Sequence, residues 1–306
     1  MVAAVSQGAE PVEYQSVSIP SQLLDRICGR LQKIQMLPAI AQQALQLAKD
    51  PDCTIREFAR IVEQDIKLAA EMLRIANSPV YCGNRPVASL MEATLRLGLA
   101  QCKNLILTSS FASLIEEFTA EEARVRDVLW RHGMVTAVIA NNLNHSLGAG
   151  FQGEEFTAGL MHDLGRILLA VAMPYQFLDG DPMNFQEDEQ SLAREQHVFQ
   201  TTHSEVGAWF AIGNQLPDCL VAAIRYHHAP RQTPSHQRLA ALVAAADEMA
   251  NYVQRNESEQ GYDPASNSMI DLLEANGMRG ARLKFNLRAE EILENSCRDA
   301  MELCGV

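Results

Sequence analysis

The sequence predicts an all-α fold, a multi-helix bundle, on three observations. Apolar residues recur every three or four positions in nearly every segment, Ser or Thr precedes Glu by three residues at three places, and strand-like alternation is scarce. Leu24, Ile27, Leu31 and Ile34 mark a first helix, opening at Ser21 and ending at Leu37-Pro38. Ile40, Ala41, Ala44, Leu45 and Ala48 mark a second, stopped by Asp50-Pro51. Thr54 and Glu57 make a capping box, with Cys53 placed to staple onto Phe58. The stripe Phe58, Ile61, Val62, Ile66, Ala69, Leu73 and Ala76 then reads as one helix, ending at Asn77-Ser78-Pro79. Ser89 and Glu92 repeat the box ahead of Ala93 and Leu97, Gly98 ends or punctuates that helix, and the pattern continues over 105–118.

In the second half, ionisable groups fall on faces that the periodicity makes apolar. A helix over about 121–147 carries the stripe Val125, Val128, Leu129, Val135, Thr136, Ile139 and Leu143, with His132 inside it. The stretch 157–173 is apolar on every side and reads as one buried helix, which contains His162, Asp163 and Arg166. A third capping box, Thr202 and Glu205, sets His203 at the start of a short helix ending near Gly213. Pro217-Asp218 opens another helix through Leu220, Ala223 and Ile224, with His227-His228 in its last turn before Pro230. Adjacent helical residues diverge by about 100°, so one histidine of this pair is expected to face inward. Ser235 opens an Ala-rich helix with Leu239, Val243, Ala246 and Ala250 inward and Asp247 at the edge of that stripe. The polar stretches 179–189 and 254–268 read as connectors, and 269–273 and 289–303 as C-terminal helices.

Composition narrows the function. With 306 residues, 47% hydrophobic and 21% charged, the chain can bury a large core in two subdomains. Its net charge of -13 would repel a phosphate backbone, which argues against direct nucleic-acid binding. Seven scattered cysteines without a CxxC pair read as reduced thiols. No apolar run is long enough to span a bilayer and the first 20 residues lack a signal-peptide pattern, so a cytoplasmic protein without membrane contact is expected.

Taken one at a time, each ionisable group has a structural reading. His132 can be a hydrogen-bonded core histidine, and a histidine at a helix C-terminus is favoured by the dipole. Asp163 cannot stay charged and unpaired inside an apolar helix, so it needs a metal, the nearby Arg166 or a raised pKa. Together, His132, His162, Asp163, His203, His227, His228 and Asp247 offer the nitrogen and oxygen donors that suit one or two divalent ions of Fe, Mn, Zn or Ni.

The order of these residues resembles the HD superfamily, with its histidine, adjacent His-Asp pair and later Asp on a helical bundle. Further motifs are similar to the HDOD family, the HD-related output domains of bacterial signalling proteins. They are Met36-Leu37-Pro38, Ala76-Asn77-Ser78-Pro79-Val80-Tyr81, the segment 87–99 with Leu97-Gly98-Leu99, Leu129-Trp130-Arg131-His132, Gly159-Leu160-Met161-His162-Asp163-Leu164-Gly165 and His203-Ser204-Glu205-Val206-Gly207. The resemblance implies an N-terminal tail over 1–20, an N-terminal helical subdomain over 21–120, an HD-like helical subdomain over 121–253, and a linker with C-terminal helices over 254–306. It implies a first metal on His132, His162, Asp163 and Asp247, and a second that shares Asp163 and is held by His203 and His227 or His228. Arg166 would be the phosphate contact if the chain were a phosphohydrolase. The Gly-Tyr-Pro segment of cyclic-dinucleotide phosphodiesterases is absent, since Ala229-Pro230-Arg231 follows the His-His pair. The implied function is therefore signal transduction of the response-regulator type, non-catalytic and acting through protein-protein contacts. Sensor kinases, receiver-domain proteins and transcription regulators are the partner classes, and self-association into a homo-oligomer stays open. The alternatives are a metal-dependent phosphohydrolase and a cavity that senses a nucleotide without hydrolysing it.

Overall fold

The computed structural model describes residues 19–31, 39–48, 50, 52–77, 85–116, 123–186 and 189–304. Among them every regular element is helical. The tail 1–18, the Leu37-Pro38 and Ser78-Pro79 stops, and Ile34, Pro51, Cys82 and Phe118 lie outside the described residues. The first five helices are α1 (Ser21–Leu31), α2 (Ala39–Leu47), α3 (Ile55–Val62), α4 (Ile66–Ala76) and α5 (Leu90–Glu116). The Thr54 and Glu57 capping box forms in both directions. The single helix expected over 58–76 is two, because the Asp65 side chain accepts from the Leu68 amide at 3.0 Å and starts α4 afresh. Ser89 caps Glu92, but the Glu92 carboxylate reaches the Ala88 amide rather than that of Ser89. Gly98 punctuates α5 at φ 78, ψ 159, a conformation in the positive-φ region that favours glycine.

The remaining helices are α6 (Ala123–Leu147), α7 (Glu154–Met161), α8 (Leu164–Ala172), α9 (Phe177–Gly180), α10 (Glu189–Phe199), α11 (His203–Gly213), α12 (Asp218–Tyr226), α13 (Gln237–Asn256), α14 (Met269–Ala275) and α15 (Ala281–Cys304), with 3-10 turns at Pro230–Gln232 and Pro264–Ser266. The helix expected over 157–173 is broken. His162 and Asp163 form a turn between α7 and α8, with Asp163 at φ -94, ψ 18. Apolar composition around the break reports burial, and it does not register a change of direction. Thr202 caps the Glu205 amide, but the Glu205 carboxylate pairs with Arg225 at 2.9 and 3.0 Å, so the third box is only half formed.

One apolar cluster runs from Leu23 and Ile27 of α1 through Phe58, Met72, Ile106 and Phe111 to Leu164, Ile167, Leu220 and Ile224. A second joins Ile139 and Leu143 of α6 to Met249 of α13, Ile270 of α14, and Phe285 and Leu293 of α15. The 254–268 stretch is not a free connector. Its Asn267 is fully buried and donates to the Ala245 carbonyl and the Tyr262 hydroxyl, each at 3.0 Å. The boundary expected at 253/254 falls inside α13, and α15 packs along α6 as part of the same body. Where α8 meets α11 the backbones touch: a Cβ on Gly165 would lie 1.8 Å from the His203 carbonyl oxygen.

Candidate metal centre

Five positions in the bundle bring the seven residues together. His132 comes from mid-α6, His162 and Asp163 from the α7–α8 turn, His203 from the first position of α11, His227 and His228 from the end of α12, and Asp247 from α13. All are buried except His228, which is half-buried.

Their donor atoms form two lobes. In the first, His132 Nε2 lies 3.1 Å from Asp247 Oδ1, 3.3 Å from His162 Nε2 and 3.5 Å from Asp163 Oδ2. His162 Nε2 is 3.5 Å from both Asp163 Oδ2 and Asp247 Oδ1. In the second, His203 Nε2 lies 3.0 Å from His228 Nε2, 3.2 Å from His227 Nε2 and 3.5 Å from Asp163 Oδ1. The two oxygens of Asp163 therefore face different lobes. Both histidines of the 227–228 pair turn to the site, although one was expected to. They follow the last residue of α12, with His227 as its C-cap.

Each of four histidines is held through its other nitrogen. Nδ1 of His132 contacts Gln254 Oε1 at 2.6 Å, that of His162 the Gly159 carbonyl at 2.7 Å, that of His203 the Glu195 carboxylate at 2.8 Å, and that of His227 the Ile224 carbonyl at 2.9 Å. These partners only accept, so each Nδ1 donates, and Nε2 of the neutral ring carries a lone pair. Lone pairs facing each other at about 3 Å repel unless a proton or a cation lies between them. The donors fit a cation. Asp163 Oδ1 is buried with no hydrogen-bond partner. Ligands about 2.1 Å from a tetrahedral ion stand about 3.4 Å apart, close to the spacing within each lobe. The hydrogen bonds to Nδ1 fix tautomer and ring angle, as metal-ligating histidines require.

Without a cation, protons must hold the cluster. Burial opposes the charged form of His162, but the Asp163 and Asp247 carboxylates beside it outweigh that and push it up to about 9. His203 is likewise raised, burial being overcome by the Glu195 carboxylate. Burial and the neighbouring His203 charge hold His228 down to about 3, and His227 is also held well below its usual range by burial and by His228. Asp163 stays well below the carboxylate range despite burial, because His162 and Arg166 favour its charge. A folded pKa above the unfolded value of 6.5 gives stability that is complete below 6.5 and is lost as pH rises through about 9. His227 and His228, being depressed, work against this trend near 6.5, where their unfolded forms are still partly protonated, and drop out once both states are neutral above about 7.5. Chelator-treated protein is therefore expected to show a urea midpoint that falls from about pH 7.5 to 9. A flat or rising midpoint over that window would contradict the charged pair.

Arg166 is committed rather than open to a phosphate. It donates to Asp163 Oδ2 at 2.7 Å and grips Asp181 through Nε at 2.7 Å and Nη2 at 3.1 Å, all three residues being buried. Of the two partners weighed for Asp163, Arg166 takes one oxygen and leaves the other to the histidines. Asp181 anchors a segment, 181–186, which the sequence suggested was a solvated connector. That segment roofs the centre: the Phe185 ring lies 5.5 Å from the His132 ring, and the Phe185 carbonyl accepts from Arg255. Met183 and Phe185 both adopt positive φ, at 51 and 55. The space left between the roof and His203 and His228 is about 20 Å³, room for one water molecule.

Sequence reasoning missed four supporting residues: Glu195, Gln254, Asn251, which donates to Asp247 Oδ1 at 2.9 Å, and Asp181. Asn251 and Gln254 follow Asp247 on α13 at helical spacings of four and seven, a signal that could have been read. Glu195 sits on α10, a helix the periodicity did not disclose.

A family model described as the HDOD domain matches residues 34–230. Among solved structures, the chain is similar to an HDOD domain protein with unknown function from Geobacter sulfurreducens, with 25% identity, 90% of this chain and 97% of that chain covered, and a TM-score of 0.61. It is also similar to a protein described as a candidate phosphohydrolase from Shewanella amazonensis SB2B, with 21% identity, 90% and 97% coverage and a TM-score of 0.63, a likeness of fold alone. An uncharacterized protein of Treponema pallidum (strain Nichols) is 23% identical over 268 residues, covering 87% of this chain. The chain spans about half the length of that curated relative, 51%. No helix among the described residues is long and apolar enough to cross a membrane.

Proposed function

The chain belongs to the HDOD domain family, and from that premise we propose that it is a bacterial signal-transduction protein, non-catalytic, which acts through contacts with other signalling proteins. In this reading His132, His162, Asp163 and Asp247 hold one divalent ion, and Asp163, His203, His227 and His228 hold a second, of Fe, Mn, Zn or Ni. The metal is structural. What supports the absence of catalysis is the roof, which leaves about 20 Å³, room for one water rather than a phosphoester, beside His203 and His228. Sensor kinases, receiver-domain proteins and transcription regulators remain the partner classes, in the cytoplasm.

One observation favours a second reading, a metal-dependent phosphohydrolase. Asp163 stands between two complete donor sets, as a carboxylate shared by two ions would. Ions bound there would supply Lewis-acid and hydroxide chemistry. The chain's part would be to hold the donors by their Nδ1 hydrogen bonds and to keep Asp163 oriented through Arg166. Metal analysis joined to hydrolysis of bis(p-nitrophenyl) phosphate separates the two readings. We expect stoichiometric metal with turnover no faster than that of the free ion. Turnover by the wild type that disappears in Asp163→Asn would overturn the non-catalytic reading.

A further inference from the structure

Behind the roof lies a second concavity, about 860 Å³, within the range of small-molecule sites. It is walled by α6, the end of α13 and the end of α15, outside the seven-residue cluster. Its lining combines three chemistries. Val128, Val253 and Met301 make an apolar floor, and Met301 is 55% exposed. Arg124 and Arg131 form one lip, with Asp127 between them, its carboxylate taken by Arg126 at 2.7 Å. The two lip arginines stand seven residues apart on one face of α6, about 10.5 Å along the helix. Neither guanidinium has an ion pair among the described residues, in a protein whose net charge is -13. Glu257 and Glu259 form the facing lip, so the groove is polarised across its width.

Two lining residues also belong to the metal centre. The Phe185 ring lies 5.5 Å from the His132 ring, tilted to it by 31°, and Gln254 Oε1 accepts from His132 Nδ1 at 2.6 Å. The wall between groove and centre is one side chain thick.

We propose that this groove is a ligand site for a small organic anion with a flat apolar body, its anionic group held by Arg124 and Arg131 and its body lying on Val253 and Met301, and that Phe185 and Gln254 transmit its occupancy to His132. The Arg lip selects charge, because guanidiniums form charge-assisted, bidentate hydrogen bonds with an anionic group. The floor selects the apolar body and rejects inorganic anions, which leave it wet. The facing carboxylates orient the ligand with its charge toward α6. Coupling to His132 is reciprocal, so an ion at the centre must change ligand affinity by the factor the ligand changes that of the ion. This last element rests on the metal reading above; the groove itself does not.

Anilinonaphthalene sulfonate has the required chemistry and reports its own binding by fluorescence. Saturable binding at one site per chain is expected, weakened about tenfold or more in the Arg124→Ala, Arg131→Ala double variant and in Met301→Glu. All three positions border solvent, so the variants should fold, and matching far-ultraviolet circular dichroism checks this. Sodium sulfate should not compete, and uncharged phenylnaphthylamine should bind the wild type and the Arg variant alike. Dye affinity unchanged in both variants, or no saturable binding, would overturn the site; competition by sulfate alone would reduce it to a simple anion contact and overturn the claimed selectivity. For the coupling, cobalt-loaded protein should show a shift of its visible bands on adding the dye, lost in Phe185→Ala while both dye and cobalt still bind. An unshifted spectrum with the groove occupied overturns the coupling. If cobalt is not taken up at all, the metal reading fails, and the dye titrations against the Arg and Met301 variants still decide the groove.

Discussion

Gly165→Ala is expected to leave little or no folded protein. The added Cβ would lie 1.8 Å from the His203 carbonyl oxygen, 2.6 Å from the His203 carbonyl carbon and 2.8 Å from the Gly207 amide nitrogen. All three are backbone atoms, so no rotamer change relieves the collision and α8 must part from α11. Overpacking relieved by side-chain shifts costs about 1–3 kcal/mol. Separating two buried helix backbones belongs in the exceptional class above about 4 kcal/mol, against a whole-domain stability of about 5–15 kcal/mol. The effect would reach the centre directly, since His203 is the first residue of α11 and any surviving fold would carry it away from Asp163. Urea denaturation of the soluble fraction measures it. A loss under 1 kcal/mol would mean that the close helix contact at Gly165 does not exist in solution.

The second large effect is expected from Asp163→Ala, and it should be seen in both metal content and stability. The variant leaves three donors in each lobe, His132, His162 and Asp247 in one and His203, His227 and His228 in the other, with nothing shared between them. Removing one partner of a buried charge pair costs about 3–5 kcal/mol. The lower figure applies here, because Arg166 keeps its two bonds to Asp181. Metal affinity should fall at least about 100-fold, since even supporting residues of a metal site cost 10–100-fold when lost. Asp163→Asn separates the two effects: it preserves side-chain volume and an oxygen for Arg166 while withdrawing the charge. An alanine variant with wild-type stoichiometry and an unchanged urea midpoint would remove Asp163 from the centre.

What the sequence disclosed was periodic, and what it hid was directional. The all-α class, the capped start of α3 and the inward face of His132 follow from helical spacing and capping chemistry, and the structure agrees. The meeting of seven residues from five positions could be suspected only because each lay on a face or end that should be apolar. Spacing could not reveal the break between α7 and α8, where 157–173 is uniformly apolar on both sides of the turn. It could not show that Asp181 would be buried against Arg166, since an acidic stretch with Pro and Gly looks solvated until a guanidinium 15 residues earlier claims it. Nor did it show that both members of the His227-His228 pair would converge, since the 100° step between adjacent helical residues points to only one.

The apolar cluster that runs from Leu23 of α1 to Val243 of α13 has a consequence for how the chain comes apart. Its N-terminal helices and its histidine-bearing helices are expected to melt together rather than as two bodies joined by a hinge. Leu23 and Ile27 share their burial with Ile167, and Arg30 reaches across 141 positions to the Val171 carbonyl. Loosening the first helix therefore strips cover from the strip of chain that carries Asp163. On this packing cooperativity is expected to cross the subdomain boundary, so that a cut made there would divide one folding unit rather than release two.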